Sequence, residues 1–157
     1  MNLAFPLLAA VLILFGSVPA VQADPLPAKP PARLEVTVAP RVQNRPPRPK
    51  GTPEDANWWH YGVTIREVTG QAGVTLTGWT KCYVGPRQSA CEMVRANFKS
   101  LFGTDRVPAG GSIRLKKPAW VWADKSVPQM GVEARYIGVD DNGNPVQAGY
   151  TFRLTSN

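Results

Sequence analysis

Apolar and polar residues alternate along much of this chain, and that two-residue period limits the folds open to it. Successive side chains of a β-strand point to opposite faces of a sheet, so alternation marks strands that bury one face. Residues 34–38, 59–65, 74–83, 112–116 and 132–136 follow this pattern. The C-terminal segment shows it most clearly, at Val146, Ala148, Tyr150, Phe152 and Leu154. The pattern predicts a mainly β fold.

Two connections between these strands are predicted to be hairpins. The break at Thr69-Gly70 would join residues 59–65 to residues 74–83. Residues 140–144, Asp-Asp-Asn-Gly-Asn, contain the Asn-Gly pair typical of a tight turn. They also resemble the start of a calcium-binding loop, but Pro145 stands where that loop needs glycine, and no bidentate glutamate follows. We therefore favour a hairpin turn over a calcium site.

A single helix is predicted after residue 88. Ser89-Ala90-Cys91-Glu92 matches a capping box, in which a serine and a glutamate three residues later satisfy free amides at the start of a helix. Gly103 can adopt the left-handed conformation that ends a helix. Apolar residues with helical spacing lie between them, at Val94, Phe98, Leu101 and Phe102. This interpretation places Cys91 in the first helical turn.

The first 23 residues have the composition of a secretory signal peptide. Residues 3–15 are almost entirely apolar, and Val21-Gln22-Ala23 fits the small-x-small cleavage pattern. A retained membrane anchor is the alternative, disfavoured because the run is short for a membrane span and contains Pro6. We expect a mature protein that begins near Asp24, has no transmembrane span and is secreted or periplasmic.

Cys82 and Cys91 are the only cysteines of the chain. In an oxidising compartment they are expected to form a disulfide, which would fasten the predicted helix to the preceding strand. Zinc binding is the alternative, but His60 is the only histidine and further ligands are scarce. Arg87 could serve as bait for a trypsin-like protease, yet the predicted helix cap follows it too closely. We predict no metal and no organic cofactor.

The chain is predicted to contain one domain. Residues 1–23 form the signal peptide, residues 24–32 a Pro-rich flexible arm, and residues 33–157 a β-domain with a Pro-rich loop at residues 40–56. The remaining length leaves no room for a second domain, and we expect a monomer.

Positive charge is concentrated in the middle of the chain. The formal net charge is +7, and eight basic residues against two acidic ones lie between Lys81 and Lys117. Such a region can bind an anionic polysaccharide, acidic lipid headgroups or, less favoured here, nucleic acid. The alternative is a solvated surface that keeps the protein soluble. The anion-binding candidates are Arg95, Lys99, Arg114, Lys116 and Lys117.

Tryptophans form a second candidate surface. In a strand, the adjacent Trp58 and Trp59 must point to opposite faces, whereas Trp120 and Trp122 must share one face. Exposed indole beside basic residues suits sugar stacking or contact with another extracellular protein. Burial at the edge of a sandwich is the alternative.

A catalytic role is the third hypothesis, in the form of a small secreted hydrolase. No nucleophile motif surrounds His60. Two carboxylates can perform acid–base chemistry, as in glycosidases, but any secreted domain carries several exposed carboxylates. The candidates are Glu67, Glu92, Asp124 and Glu133.

Three segments resemble uncharacterised Ig-like sandwich domains of bacterial extracellular proteins. They are residues 73–77 (GVTLT), 101–113 (LFGTDRVPAGGSI) and 138–144 (GVDDNGN). The resemblance covers residue 33 to the C-terminus and implies an Ig-like antiparallel sandwich with a role in adhesion, spacing or accessory binding. It carries over no functional residues, and the disulfide-stapled helix is a departure from it. We therefore predict a secreted non-catalytic binding module, with an anionic cell-surface polymer as the first ligand and a protein partner as the alternative.

Overall fold

The computed structural model describes residues 29–39, 42–43, 47–84, 89–94, 97–127 and 129–155. The predicted signal peptide, most of the predicted arm and Arg95 lie outside these residues. Within the described part, the chain forms eleven strands and one helix. In chain order they are β1 Leu34–Val38, β2 Val42–Gln43, β3 Ala56–Tyr61, β4 Val63–Glu67, β5 Val74–Val84, β6 Ser89–Val94, α1 Phe98–Phe102, β7 Arg106–Val107, β8 Ser112–Arg114, β9 Ala119–Asp124, β10 Gln129–Asp140 and β11 Pro145–Thr155.

The strands pair in three antiparallel sheets. One sheet has the order β1-β4-β8, a second β2-β3-β9, and the third β11-β10-β5-β6 with β7 beside β5. The mainly β, antiparallel fold with one short helix is therefore confirmed. Its finer likeness to an Ig-like sandwich stays a prediction.

The hairpin predicted between the last two strands is present. β10 and β11 pair along their whole length, and the turn between them occupies residues 141–144. Asp140 N–H donates to the Asn144 carbonyl at 2.9 Å, and Gly143 has a φ of 84°. Glycine adopts that left-handed conformation without steric cost, which explains the Asn-Gly pair.

The first predicted hairpin is wrong. Residues 59–65 are not one strand, because the chain breaks at Gly62 and passes from β3 in one sheet to β4 in another. β4 pairs with β1 and β8, whereas β5 pairs with β10, β6 and β7. Tyr61 and Val63 are both buried in one core, so the alternation continues across the break. The pattern shows which side chains are buried but not which strand pairs with which.

The predicted start of the helix is also wrong. Residues 89–94 form the edge strand β6, and α1 begins only after Asn97, whose side-chain oxygen accepts from Ser100 N–H at 3.1 Å. Gly103 ends the helix in the left-handed conformation, as predicted. Pairing with β5 overrides the local capping preference of Ser89, because tertiary context routinely overrides a local helix preference, even one worth about 1 kcal/mol.

The disulfide is present but joins different elements from those expected. Cys82 on β5 and Cys91 on β6 lie directly opposite each other and are bonded. The bond therefore fastens an edge strand to its neighbour, not a helix to a strand. A disulfide is compatible with an extracytoplasmic location.

Loss of this disulfide is expected to lower the free energy of unfolding by about 2 to 3 kcal/mol, because the unfolded chain gains the freedom of a short closed loop. Urea unfolding with and without reductant measures the effect. The double variant Cys82→Ala/Cys91→Ala serves as the control, since reductant must leave it unchanged. An unchanged urea midpoint of the wild-type protein on reduction would contradict the prediction.

Aromatic rings connect the sheets in the core. The Tyr61 ring on β3 lies 5.0 Å from the Phe152 ring and 6.2 Å from the Tyr150 ring on β11, centre to centre. Phe98 and Phe102 attach α1 to Tyr136 on β10, at 6.5 and 6.2 Å. Burial raises the pKa of the Tyr61, Tyr136 and Tyr150 hydroxyls, so these groups stay protonated.

Candidate binding surface

Strands β3 and β9 bring aromatic side chains together on one face of their sheet. Trp58 lies opposite Trp122, and His60 lies opposite Trp120. Directly opposed residues of an antiparallel pair share a face. Trp120 is 39% exposed and Trp122 is 41% exposed, whereas Val121 between them is buried. We call the group formed by Trp58, His60, Trp120 and Trp122 the tryptophan face.

Trp59 does not belong to this face. It is 4% exposed and packs in the hydrophobic core. The prediction that Trp59 could stack on a ligand is therefore wrong. The reason is the alternation itself, which directs Trp58 to the outer side of β3 and its neighbour inward.

One end of the tryptophan face is covered by a cation. The Arg48 guanidinium lies 5.0 Å from the centre of the Trp58 ring and donates to the Glu54 carbonyl at 3.0 Å. A guanidinium over an indole is attracted by the negative ring face. Trp58 is therefore only partly accessible, and the exposed area of the face lies on β9.

A groove runs beside β9, with a volume of about 770 Å³. Its lining combines residues 117–122 with Leu115 and with side chains from β5, α1 and β10. The lining residues are Lys81, Tyr83, Leu101, Leu115, Lys117, Pro118, Ala119, Trp120, Val121, Trp122 and Met130. We call this the β9 groove. It joins the tryptophan face, because Trp120 and Trp122 line both.

The sequence candidates for anion binding are placed in different surroundings. Lys99 forms an ion pair with Asp105 at 3.4 Å. The Lys116 ammonium donates to the Lys99 carbonyl at 3.4 Å, where a cation complements the carboxyl end of α1. Both lysines thus have structural contacts. Arg114 is exposed on β8, and Lys117 lines the β9 groove.

Lys81, Tyr83 and Leu101 were not predicted as site residues. Lys81 interrupts an otherwise aromatic row on one side of β5, between Trp79 and Tyr83. That interruption is the signal that could have identified it, because lysine is rare at core-facing positions. The other two read as ordinary core residues in the sequence.

His60 has a buried Nε2 atom without a hydrogen-bond partner among the described residues. The residue as a whole is partly exposed on the tryptophan face.

Glu67, one of the carboxylates considered for acid–base chemistry, is entirely buried. Its carboxylate accepts from the N–H groups of Thr69, Gly70 and Gly110 at 2.9, 2.8 and 2.8 Å. The Thr69 hydroxyl and Arg33 N–H also donate to it, at 2.5 and 3.2 Å. Burial acts to raise its pKa, but the hydrogen bonds outweigh it and lower the pKa to about 2. A carboxylate held in this way binds three chain segments together and is not free to transfer protons.

Asp140 and Asp141 make a second cluster at the β10–β11 turn. Asp140 is buried, and its carboxylate accepts from Ala32 N–H at 3.0 Å and from the Asn144 amide and main chain. Burial acts to raise its pKa, but these bonds lower it to about 2. The Asp141 carboxylate receives two 2.7 Å hydrogen bonds from Arg106. Both carboxylates hold the turn and neighbouring segments of the chain together.

The remaining carboxylate candidates are ordinary surface groups. Asp124 accepts from Ser126 N–H at 2.7 Å, Glu133 pairs with Arg135 at 3.4 Å, and Glu92 is exposed. Within the described ranges, no group of three or more His, Cys, Asp or Glu side chains could hold a metal ion. None of the helices described is long and apolar enough to span a membrane.

No protein-family model matches the chain, and no curated protein matches it in sequence. Solved structures do match in three dimensions. A Bordetella pertussis protein assigned as ApaA has a TM-score of 0.55 and 14% identity over 80% of this chain and 94% of its own. The structural-genomics target SoR45 has a TM-score of 0.53 and 17% identity over 80% of this chain and 86% of its own. At these identities the likeness is one of fold, and it shows that a β-rich domain of this architecture occurs in other proteins.

Proposed function

We propose that this protein is a non-catalytic extracytoplasmic module that binds a partner protein through the tryptophan face and the adjoining β9 groove. The observation that carries the proposal is the exposure of Trp120 and Trp122 on one strand, side by side, at the mouth of the groove. Tryptophan is one of the residues most enriched among those that dominate the binding energy of protein interfaces.

The geometry favours the tryptophans over the basic residues as the contact surface. Two of the anion-binding candidates already have a partner, since Lys99 pairs with Asp105 and the Lys116 ammonium donates to the Lys99 carbonyl, although the Lys99 side chain is 71% exposed. Trp120 and Trp122 retain about two fifths of their surface in solvent and lie beside the groove. Exposed apolar groups joined to a groove are typical of interaction sites.

The predicted signal peptide and the disulfide support the proposed location. A signal peptide over residues 1–23 would export the chain to a compartment in which Cys82 and Cys91 pair. The buried, fully bonded state of Glu67 supports the non-catalytic part of the proposal, because it removes one of the candidate acids.

The double variant Trp120→Ala/Trp122→Ala is expected to reduce complexes with partner proteins at least tenfold, since each indole contributes on the order of 1 to 2 kcal/mol when buried at an interface. The measurement is quantitative cross-linking of a tagged chain in the cells that produce it, followed by counting of the cross-linked complexes.

Val139→Ala is the matched control, because Val139 is 40% exposed on β10 and does not line the groove. It should leave the complexes unchanged. If the wild-type protein, the double tryptophan variant and Val139→Ala form equal amounts of cross-linked complex, the tryptophan face is not the contact surface. A loss that appears only with Arg114→Glu would instead favour the basic residues.

A further inference from the structure

Lys81 is the most unusual side chain of the β9 groove. It is only 9% exposed, although lysine is normally a surface residue. Its ammonium lies 4.8 Å from the centre of the Tyr83 ring and 5.9 Å from that of the Trp79 ring. These contacts stabilise a cation but do not neutralise it.

No carboxylate neutralises Lys81 within the described part of the chain. Glu92 lies directly opposite it in the β5–β6 register, yet the two form no ion pair there. The groove lining contains a second cation, Lys117, and no acidic residue. A charge held in an apolar setting without a partner costs free energy, so the groove is complementary to an anion.

The unpaired edge of β9, which borders the groove, indicates the conformation of a ligand that would bind there. β9 pairs with β3 on one side only and is an edge strand of its sheet. Residues 119–122 of β9 line the groove together with Lys81 and Tyr83 of β5 and Met130 of β10, and none of the described main-chain hydrogen bonds pairs the second edge of β9 with another strand. An open edge strand can accept a further strand, which gains main-chain hydrogen bonds along its length.

The geometry points to an extended segment of a partner protein that adds to the free edge of β9 and places a side-chain carboxylate against the Lys81 ammonium. This inference rests on the proposed function and specifies its ligand. Apolar side chains of the segment would pack on Leu101, Leu115 and Met130, and the flanking indoles would exclude water from the ion pair.

The test uses acetylated and amidated octapeptides of alternating threonine and valine, with a single glutamate moved through each position. Matched peptides carry glutamine at the same place. Dissociation constants are measured by calorimetry with the purified protein and its variants. At least one glutamate peptide should bind the wild-type protein ten times more tightly than its glutamine counterpart.

This preference should disappear in Lys81→Met and in Lys81→Gln, and it should persist within about threefold in Lys81→Arg, which keeps the charge. Lys125→Met is the matched control, since Lys125 is exposed in the turn after β9 and does not line the groove. Near-ultraviolet circular dichroism confirms that each variant is folded, and the two neutral variants differ in shape, so one misfolded variant leaves the test intact.

The inference is overturned if glutamate and glutamine peptides bind equally at every position, if none binds, or if Lys81→Met keeps the preference. Those results leave the proposed function standing when Trp120→Ala/Trp122→Ala still removes the cross-linked complexes. If the double tryptophan variant has no effect either, both proposals fail.

Discussion

Replacement of Glu67 by glutamine is expected to lower the free energy of unfolding by about 3 kcal/mol. The carboxylate accepts hydrogen bonds from Thr69, Gly70, Gly110 and Arg33 and is completely buried. Glutamine has nearly the same shape, but one carboxylate oxygen is replaced by an NH2 group. This group is a donor and cannot accept hydrogen bonds from the main-chain N–H groups. At least one buried N–H group then loses its acceptor. Chemical denaturation of the two proteins measures the difference.

Glu35→Gln is the matched control, because the one ion pair of the Glu35 side chain among the described residues is an exposed pair with Arg33, at 3.1 Å. Its loss should change the free energy of unfolding by less than about 0.5 kcal/mol. Equal stability of the Glu67 and Glu35 variants would show that the buried carboxylate does not hold the loops together.

The effect of Glu67→Gln also has a specific pH dependence. The folded protein lowers the pKa of Glu67 from 4.5 to about 2. Because the pKa is lower in the folded state, the ionised carboxylate stabilises the folded protein at pH values above 4.5. This stabilisation is lost as the pH falls towards the folded-state pKa of about 2. The stability difference between wild type and variant should therefore be constant near neutral pH and shrink between pH 4.5 and 2. Asp140 remains in both proteins, so its own titration cancels in the comparison.

Replacement of Gly149 by alanine is the second change with a large expected effect, again about 3 kcal/mol of lost stability. Gly149 lies opposite Arg135 in the β10–β11 hairpin. A Cβ atom there would overlap the main-chain oxygen of Ala134 and would lie 3.2 Å from the Arg135 Cα. Main-chain atoms cannot rotate away, so the two strands would have to separate locally. Thermal unfolding should show a lower midpoint.

Gly78→Ala is the control for this prediction. Gly78 lies in β5 of the same sheet, and a Cβ atom added there meets no other atom within 4 Å. Alanine at an open position restricts the unfolded chain and should leave stability unchanged or raise it by about 0.5 kcal/mol. If both glycine variants behaved alike, close approach of the strands at Gly149 would not be the cause.

Local patterns in the sequence predicted those parts of the fold that depend on neighbouring residues. Alternation located β1 and the β10–β11 hairpin, and Gly103 marked the end of α1 because only a left-handed residue fits there. The same alternation separated Trp58 from Trp59 and placed Trp120 and Trp122 on one face.

Features that depend on distant residues could not be predicted in this way. β6 is a strand because Cys91 and its neighbours pair with β5. The sequence of residues 89–94 contains no pattern that predicts this pairing. The tryptophan face requires β3 to pair with β9, which lies far along the chain. The donors around Glu67 are mostly main-chain N–H groups. Almost every residue carries such a group, so the sequence contains no sign of which ones will surround the carboxylate.

Binding to the β9 edge can be observed directly through the indole N–H signals of the five tryptophans in a nitrogen–proton correlation spectrum. Trp120→Phe and Trp122→Phe assign the two signals of the β9 tryptophans. On titration with the tightest glutamate octapeptide, we expect these two signals and the main-chain amides of β9 to shift, while the signal of the buried Trp59 stays in place. Bound peptide that leaves Trp120 and Trp122 unchanged would contradict the account.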